Sequence, residues 1–213
     1  MNDAIILSTY GKGAATYEEV MRRYWHVERE PLVKQLDLKQ GMSTLVAAVG
    51  TGLDLPYFSP DTRVFGIDYS KEMLAKAKKK VSPADIELRR MDIRQMDFED
   101  NNFDAVLSTF TLCVLTDPIR GLEEMVRVAK QGAKIIIFDY TKSKDPEIAK
   151  WQELFHYHAS EIGFPKDVIC WDSLTDYDSL VKRAEDSLII EEYTRFENAN
   201  PFLTSCQLIG RKK

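Results

Sequence analysis

Two glycines and two carboxylates, spaced along three apolar runs, are the residues of this sequence best suited to chemistry. Gly50 and Gly52 stand in "TLVAAVGTGLDLPYF", where a strand-like run meets a glycine turn. Glycines at a strand end let the backbone approach a ligand closely, and the amides that follow are free to donate. By itself such a turn is equally a tight corner with no ligand. Asp68 closes the next apolar run, "VFGID", at the separation expected of a carboxylate that accepts from both hydroxyls of a ribose. It could instead cap the following helix, but Ser70 is already suited to that. Asp92, in "MDIRQMDF", follows a third run and is placed to accept from an adenine amino group; alone it would read as a loop acid. On successive strand ends, the three features point to an adenosine site.

The glycine turn also says which adenosine ligand. A dinucleotide fingerprint needs a third glycine to seat the pyrophosphate-binding helix, and position 53 is Leu, with Pro56 in the segment that follows. A nucleoside without phosphates needs no such approach. The pattern favours S-adenosylmethionine (SAM) and disfavours a dinucleotide-dependent oxidoreductase.

The elements that must position these residues alternate. "TLVAAV" runs into a presumed helix "GLDLPYF", "TRVFGID" into "SKEMLAKAKKKV", and "DIELRRM" leads to "FDAVLSTF", "DPIRGLEEMVRVAK" and "GAKIIIFDY". Nearly all-apolar strands alternating with amphipathic segments indicate a parallel sheet covered on both faces. "KQG" precedes the first strand and recurs at Lys130 to Gly132, each read as a helix or turn ending before a strand. "SLIIEEYTRF" and "FLTSCQLIGRKK", split by "ENANP", form a terminal hairpin. The expected fold is α/β: a Rossmann-like three-layer sandwich with a mostly parallel seven-stranded sheet and a C-terminal antiparallel hairpin. It is expected as one domain over 1–213, with a helical lid (1–40), a cofactor-binding core (41–141), substrate-side helices (142–186) and the hairpin (187–213).

Composition narrows the class. With 44% hydrophobic and 30% charged residues the chain reads as a soluble globular domain. A formal net charge of -5 argues against nucleic acid as the main partner, and the basic run Lys76 to Lys80 reads as a solvated helix face. No stretch approaches the ~20 apolar residues of a membrane helix, so no stable membrane insertion is expected. Cys113, Cys170 and Cys206 show no metal-like spacing and read as reduced thiols, which points to a cytoplasmic protein.

In "TYGKGAATYEEV", "LVAAVGTGLDLPYF", "VFGIDYSKEMLAKAKKK" and "RRMDIRQMDFEDNNFDAVLSTFTLCVLTDPIRGLEEMVRVAKQGAKIIIFDY" the chain resembles the class I SAM-dependent methyltransferases over nearly its whole length. "STFTLCVLTDP" is similar to a subgroup that includes ubiquinone/menaquinone-type C-methyltransferases, phospholipid N-methyltransferases and thiol methyltransferases. The resemblance implies that Ala48, Gly50 and Gly52 line the methionine end of SAM and that Asp68 holds the ribose. Tyr69 and Met73 would pack near the adenine, Asp92 and Ile93 would meet its edge, and Thr109 and Phe110 would face the cofactor. Tyr10 and Tyr17 would belong to a lid near the sulfonium. It departs from the family at Val46, normally an acid that helps hold the methionine ammonium, and at Ala48, normally Gly. Losing one charge-assisted contact costs on the order of 1–3 kcal/mol. These departures keep open an alternative, a protein on this scaffold that binds SAM weakly or not at all and serves another reaction or a binding role.

Methyl transfer from a sulfonium is an in-line displacement, helped chiefly by alignment and exclusion of water. Where the acceptor must lose a proton, Asp139 at the fifth strand end is the best-placed base, with His156 next and His26, His158 and Tyr140 behind. No spacing suggests a metal. Tyr24, Trp25, Trp151, Phe155, Tyr157 and Trp171 offer walls for a small aromatic or lipophilic acceptor, or core packing.

Overall fold

The computed structural model describes residues 3–24, 27–158, 177–196 and 204–213. Its centre is a seven-stranded sheet in the order β3-β2-β1-β4-β5-β7-β6. The strands are β1 (Ser43–Ala47), β2 (Arg63–Asp68), β3 (Asp85–Arg90), β4 (Phe103–Thr109), β5 (Ala129–Tyr140), β6 (Leu188–Phe196) and β7 (Ser205–Lys212). β1 to β5 pair in parallel, whereas β7 runs antiparallel to both β5 and β6, so the expected terminal hairpin is present.

The sheet is buried on both faces because its central strands carry apolar side chains in both directions. On one face Leu45, Ala47, Ile67, Val106, Ile135 and Ile137 pack with Leu122, Met125 and Val126 of α5 (Pro118–Val128) and with Leu180, Val181 and Ala184 of α7 (Tyr177–Ala184). On the other, Val46, Val64, Leu107 and Ile136 pack with Val33 of α3 (Arg29–Lys34) and Leu74 and Ala77 of α4 (Lys71–Ala77). Ahead of these lie α1 (Asp3–Gly13) and α2 (Tyr17–Tyr24), and between β5 and α7 lies α6 (Pro146–His158).

Two expectations are corrected. The segment after the glycine turn is not an α-helix but a three-residue 3-10 turn, Leu55–Tyr57. Pro56 sits in its first turn, and the chain turns extended at Phe58. The second "KQG" does not end a helix: α5 stops at Val128, and Lys130 to Gly132 already belong to β5. A register shift between Phe103 and Ala105 against β5, with Gly132 at φ 73°, absorbs the extra residues as an irregularity in the ladder.

The strand order reverses between β1 and β4, which leave in opposite directions at their carboxyl ends. In an open α/β sheet such a switch point opens a crevice for a ligand.

Candidate cofactor site

A cleft partly open to solvent, spanning about 800 Å³ with its open mouth included, lies at this switch point. Its floor is built from strand ends. Ala48 and Gly50 follow β1, Asp68 closes β2, Met91, Asp92 and Ile93 follow β3, Thr109 closes β4 and Phe110 follows it. Tyr69, Ser70 and Met73 form one side, and Leu7, Tyr10 and Tyr17 from the N-terminal helices cover it. Tyr10 and Tyr17 meet edge to face, with ring centroids 6.2 Å apart. Of the residues expected at the cofactor, only Gly52 is outside this lining.

Gly52 has a different task. At φ 82° it adopts a conformation that L side chains rarely take, and an added Cβ would stand 2.9 Å from Leu55 Cδ1 and 3.1 Å from the Ala77 backbone. It lets the turn press onto the end of α4. Gly50, at φ 56°, faces open space instead, with nothing within 4 Å of the Cβ it lacks. Its amide donates to Asp68 Oδ2 at 2.8 Å, and the Ser70 amide donates to Oδ1 at 2.8 Å. Ser70 also caps α4, its hydroxyl accepting from Met73 N. Asp68 thus ties the glycine turn to the β2–α4 corner while facing the cleft. Burial pushes its carboxyl up to about 6, against the pull of the Ser70, Gly50 and Tyr69 amides.

Backbone strain marks the same rim. Ala48 has φ 56° and Phe110 φ 53°, both left-handed conformations that cost a non-glycine residue roughly 1–2 kcal/mol. Phe110 is held there by its amide bonding to Phe138 O and by its ring meeting Phe138 edge to face. Ala48 therefore does need positive φ, the one condition under which replacing Gly costs substantially. Val46 does not face the cleft; it is 1% exposed within the apolar cluster that includes Val33 and Leu55.

Asp92 is gripped by Arg94, a cleft-lining residue whose Nε and Nη2 reach the two carboxylate oxygens at 3.0 and 2.7 Å. Arg94 also donates to Thr116 Oγ1 at 2.7 Å. The loop carrying Asp92 is fastened beneath by Glu124, which accepts from Met96 N, and by Arg127, which donates to the carbonyls of Met96 and Phe98.

The expected bases lie elsewhere. Asp139 is wholly buried and does not line the cleft. Its Oδ2 accepts from the Leu112 amide at 2.9 Å and from the Tyr177 hydroxyl in a short contact, while Oδ1 is buried with no hydrogen-bond partner. Burial pushes its carboxyl up to about 6, although the Cys113 thiol and Tyr177 hydroxyl beside it favour the charge. Tyr140 is turned to Gln152, which donates to its hydroxyl. His156 and His158 lie on α6 with side chains outside the described residues, as are Trp25, His26 and Trp171 and the side chains of Tyr24, Phe155 and Tyr157. Trp151 is described and is 62% exposed. Among the described residues, no group of three or more His, Cys, Asp or Glu is close enough to hold a metal ion.

Sequence reasoning missed one buried pair. Arg29 Nη1 donates to Asp54 Oδ1 at 2.8 Å and to Thr109 Oγ1 at 3.2 Å, and Thr109 Oγ1 donates to Asp54 Oδ2 at 2.9 Å. The partners stand 25 positions apart, so no local pattern announces them. Arg94 was missed as well, although an acid and an arginine two positions apart in a turn are a local signal that could have found it.

Comparison with known proteins identifies the family. A methyltransferase-domain family matches residues 45–137. The chain is 30% identical over 171 residues to the ubiquinone/menaquinone biosynthesis C-methyltransferase of Bdellovibrio bacteriovorus, a match covering 76% of this chain and 71% of that one. The chain belongs to the class I SAM-dependent methyltransferases. It is also 38% identical over 133 residues to a phosphatidylethanolamine N-methyltransferase of Cereibacter sphaeroides, covering 60% of this chain and 65% of that protein, just under two thirds of its length. A SAM-dependent methyltransferase from Aquifex aeolicus shares the fold at TM-score 0.65 and 22% identity, covering 96% of this chain and 98% of that one. So does the [4+2]-cyclase SpnF, at TM-score 0.70 and 15% identity over 97% and 95% of the two chains. SAM is the methyl donor of the family, and no helix among the described residues is long and apolar enough to cross a membrane.

Proposed function

We propose that this chain transfers a methyl group from SAM to a small, aromatic or lipophilic acceptor. One observation carries the reading: a cleft-facing carboxylate, Asp68, is bonded to the glycine turn itself, and that turn leaves open space at Gly50. This donor set fits an adenosine ligand. Asp68 would accept from the ribose hydroxyls with the lone pairs its two amides leave unused. Asp92, paired with Arg94, would accept from the adenine amino group, with Met73 and Ile93 against the ring. Ala48, Gly50, Thr109 and Phe110 would surround the amino-acid end.

The cofactor supplies an activated methyl on a sulfonium. The protein's part is to align and to dry the site. Tyr10 and Tyr17 cover the cleft from above, and Val114 and Leu115 give it an apolar wall. Burial pushes the Tyr17 phenol up, so at neutral pH it can donate a hydrogen bond but cannot take a proton. Asp68 and Asp92 are committed to their partners, and Asp139 is sealed beneath the floor as a structural tie. The acceptor therefore meets no free base among the described cleft residues. That suits a nucleophile which is already electron-rich, such as a neutral amine or an ionised quinol ring, and leaves His26, His156 and His158, whose side chains lie outside the described residues, as the remaining candidates for a proton. The phospholipid amine and quinone named for two relatives fall within these classes.

The reading is checked by incubating the protein and methyl-labelled SAM with demethylmenaquinol and, separately, with phosphatidylethanolamine vesicles. Label passing to either lipid, and lost in Asp68→Ala, supports it. Tight SAM binding with no transfer to any amine, quinol or thiol acceptor contradicts it.

A further inference from the structure

The basic run Lys76 to Lys80 is not a solvated face to its end. Lys80 lies just past the end of α4, and its side chain is only 23% exposed. Its Cγ stands 3.0 Å from the place that a Cβ on Gly52 would take, so the lysine stem lies in the space a side chain at 52 would need. Its Nζ reaches Glu18 Oε2 at 2.7 Å, on α2 and 62 positions away in the chain. One side chain thus spans from the back of the glycine turn to the helices that cover the cleft.

Glu18 follows Tyr17 directly, and Tyr17 lines the cleft with its ring edge to face against Tyr10. α2 therefore carries its anchor next to the ring that it sets over the cleft. α1 rests nearer the other end of α4. Gly11 comes so close to Glu72 that an added Cβ would be 3.3 Å from Oε2, and Glu72 accepts from the Ser70 hydroxyl at 3.0 Å. The two supports differ in kind. At Gly11 the contact is one of fit, whereas Glu18 and Lys80 form an ion pair that is partly buried and so screened less than one at the open surface.

We propose that Lys80 is a positioning residue: acting through Glu18, it holds Tyr17 over the occupied cleft and so sets how long SAM and S-adenosylhomocysteine stay bound. The proposal rests on the cleft being a SAM site. Neither Lys80 nor Glu18 lines the cleft, so their effect on a ligand passes through the elements they join. Because the lysine stem also packs at Gly52, the cover is held in register with the turn that Asp68 fastens. α1 and α2 contribute no strand to the sheet, and a part-exposed ion pair costs little to break. The cover can therefore swing away while the sheet stays folded.

The test is the dissociation rate of labelled S-adenosylhomocysteine from the full chain, followed by rapid mixing with an unlabelled excess. Lys80→Met keeps the stem and removes the charge. It should release the ligand about three- to fivefold faster, the factor that such an ion pair is worth. Glu18→Gln should match it, and the two together should do no more than either alone. Lys80→Arg, which keeps the charge, should restore slow release. In a Tyr17→Ala background Lys80→Met should have no further effect, a result that a merely structural lysine would not give. Added salt should speed release from the wild type and leave Lys80→Met unchanged. Release from Lys80→Met at the wild-type rate, or an equal acceleration in the Tyr17→Ala background, overturns the proposal and leaves the cofactor site intact. Folded wild-type protein that binds no S-adenosylhomocysteine overturns both readings.

Discussion

Asp68 and Asp139 are alike on paper and opposite in use. Each lies at the carboxyl end of a parallel strand, Asp139 fully buried and Asp68 half-buried at the cleft, and burial pushes each carboxyl up to about 6. Asp68 is tied by two backbone amides and keeps an open side towards the cleft. Asp139 is tied by an amide and a phenol and has no such side; its second oxygen faces the interior. A displaced pKa therefore marks a buried acid, and access decides whether the acid can serve a ligand.

The largest contrast should appear on truncation. Asp139→Ala leaves the Leu112 amide and Tyr177 hydroxyl buried without an acceptor, and should lower unfolding stability by about 3–4 kcal/mol in a denaturant titration. S-adenosylhomocysteine affinity, measured on the folded fraction, should change by less than about threefold. Asp68→Ala should do the reverse where it matters: affinity falls by about 100-fold, equivalent to ~2.7 kcal/mol.

pH separates the pair further. Both carboxyls have folded values above the usual 3.8, so between about pH 4 and 6 the folded state holds protons that the unfolded state has released. Stability contributed by these groups falls as pH rises through that window, and the ionised forms at neutral pH carry a burial cost. On acidification from pH 7 to 5, wild-type protein should therefore gain melting temperature relative to either Asp68→Asn or Asp139→Asn. Binding should respond to one of them alone. Affinity for S-adenosylhomocysteine should drop several-fold, up to about tenfold, between pH 6 and 5, and only Asp68→Asn should remove that slope.

Smaller effects test the turn that Asp68 fastens. Gly52→Ala brings a methyl against the Ala77 backbone at positive φ and should cost about 2 kcal/mol. Ala48→Gly relieves a left-handed alanine, and after the added freedom of the unfolded chain should stabilise by about 0.5–1 kcal/mol.

The sheet and its order of elements were legible because the strands of a doubly covered sheet are nearly continuous apolar runs. Asp68 was legible because it closes such a run, and Asp92 because it follows the end of the next strand, although that strand, DIELRR, is largely charged. The α-helix expected after the glycine turn was misread because its apolar residues, Leu53, Leu55 and Phe58, resemble an amphipathic segment while Pro56 limits it to one tight turn. Gly52 was read as a ligand contact because a glycine's spacing does not reveal whether a ligand or a helix makes the close approach. The Arg29–Asp54 pair and the sealing of Asp139 by Tyr177 arise from long-range packing, across 25 and 38 positions, which no local pattern encodes.

The most direct measurement is the calorimetric affinity of S-adenosylhomocysteine for wild type, Asp68→Asn and Asp139→Asn at pH 7.5. Binding that is tight in wild type, kept in Asp139→Asn and weakened at least tenfold in Asp68→Asn would establish the cleft at the β1, β2 and β4 ends as the cofactor site. Folded wild-type protein that binds no S-adenosylhomocysteine, or Asp68→Asn that binds it as well as wild type does, would contradict it.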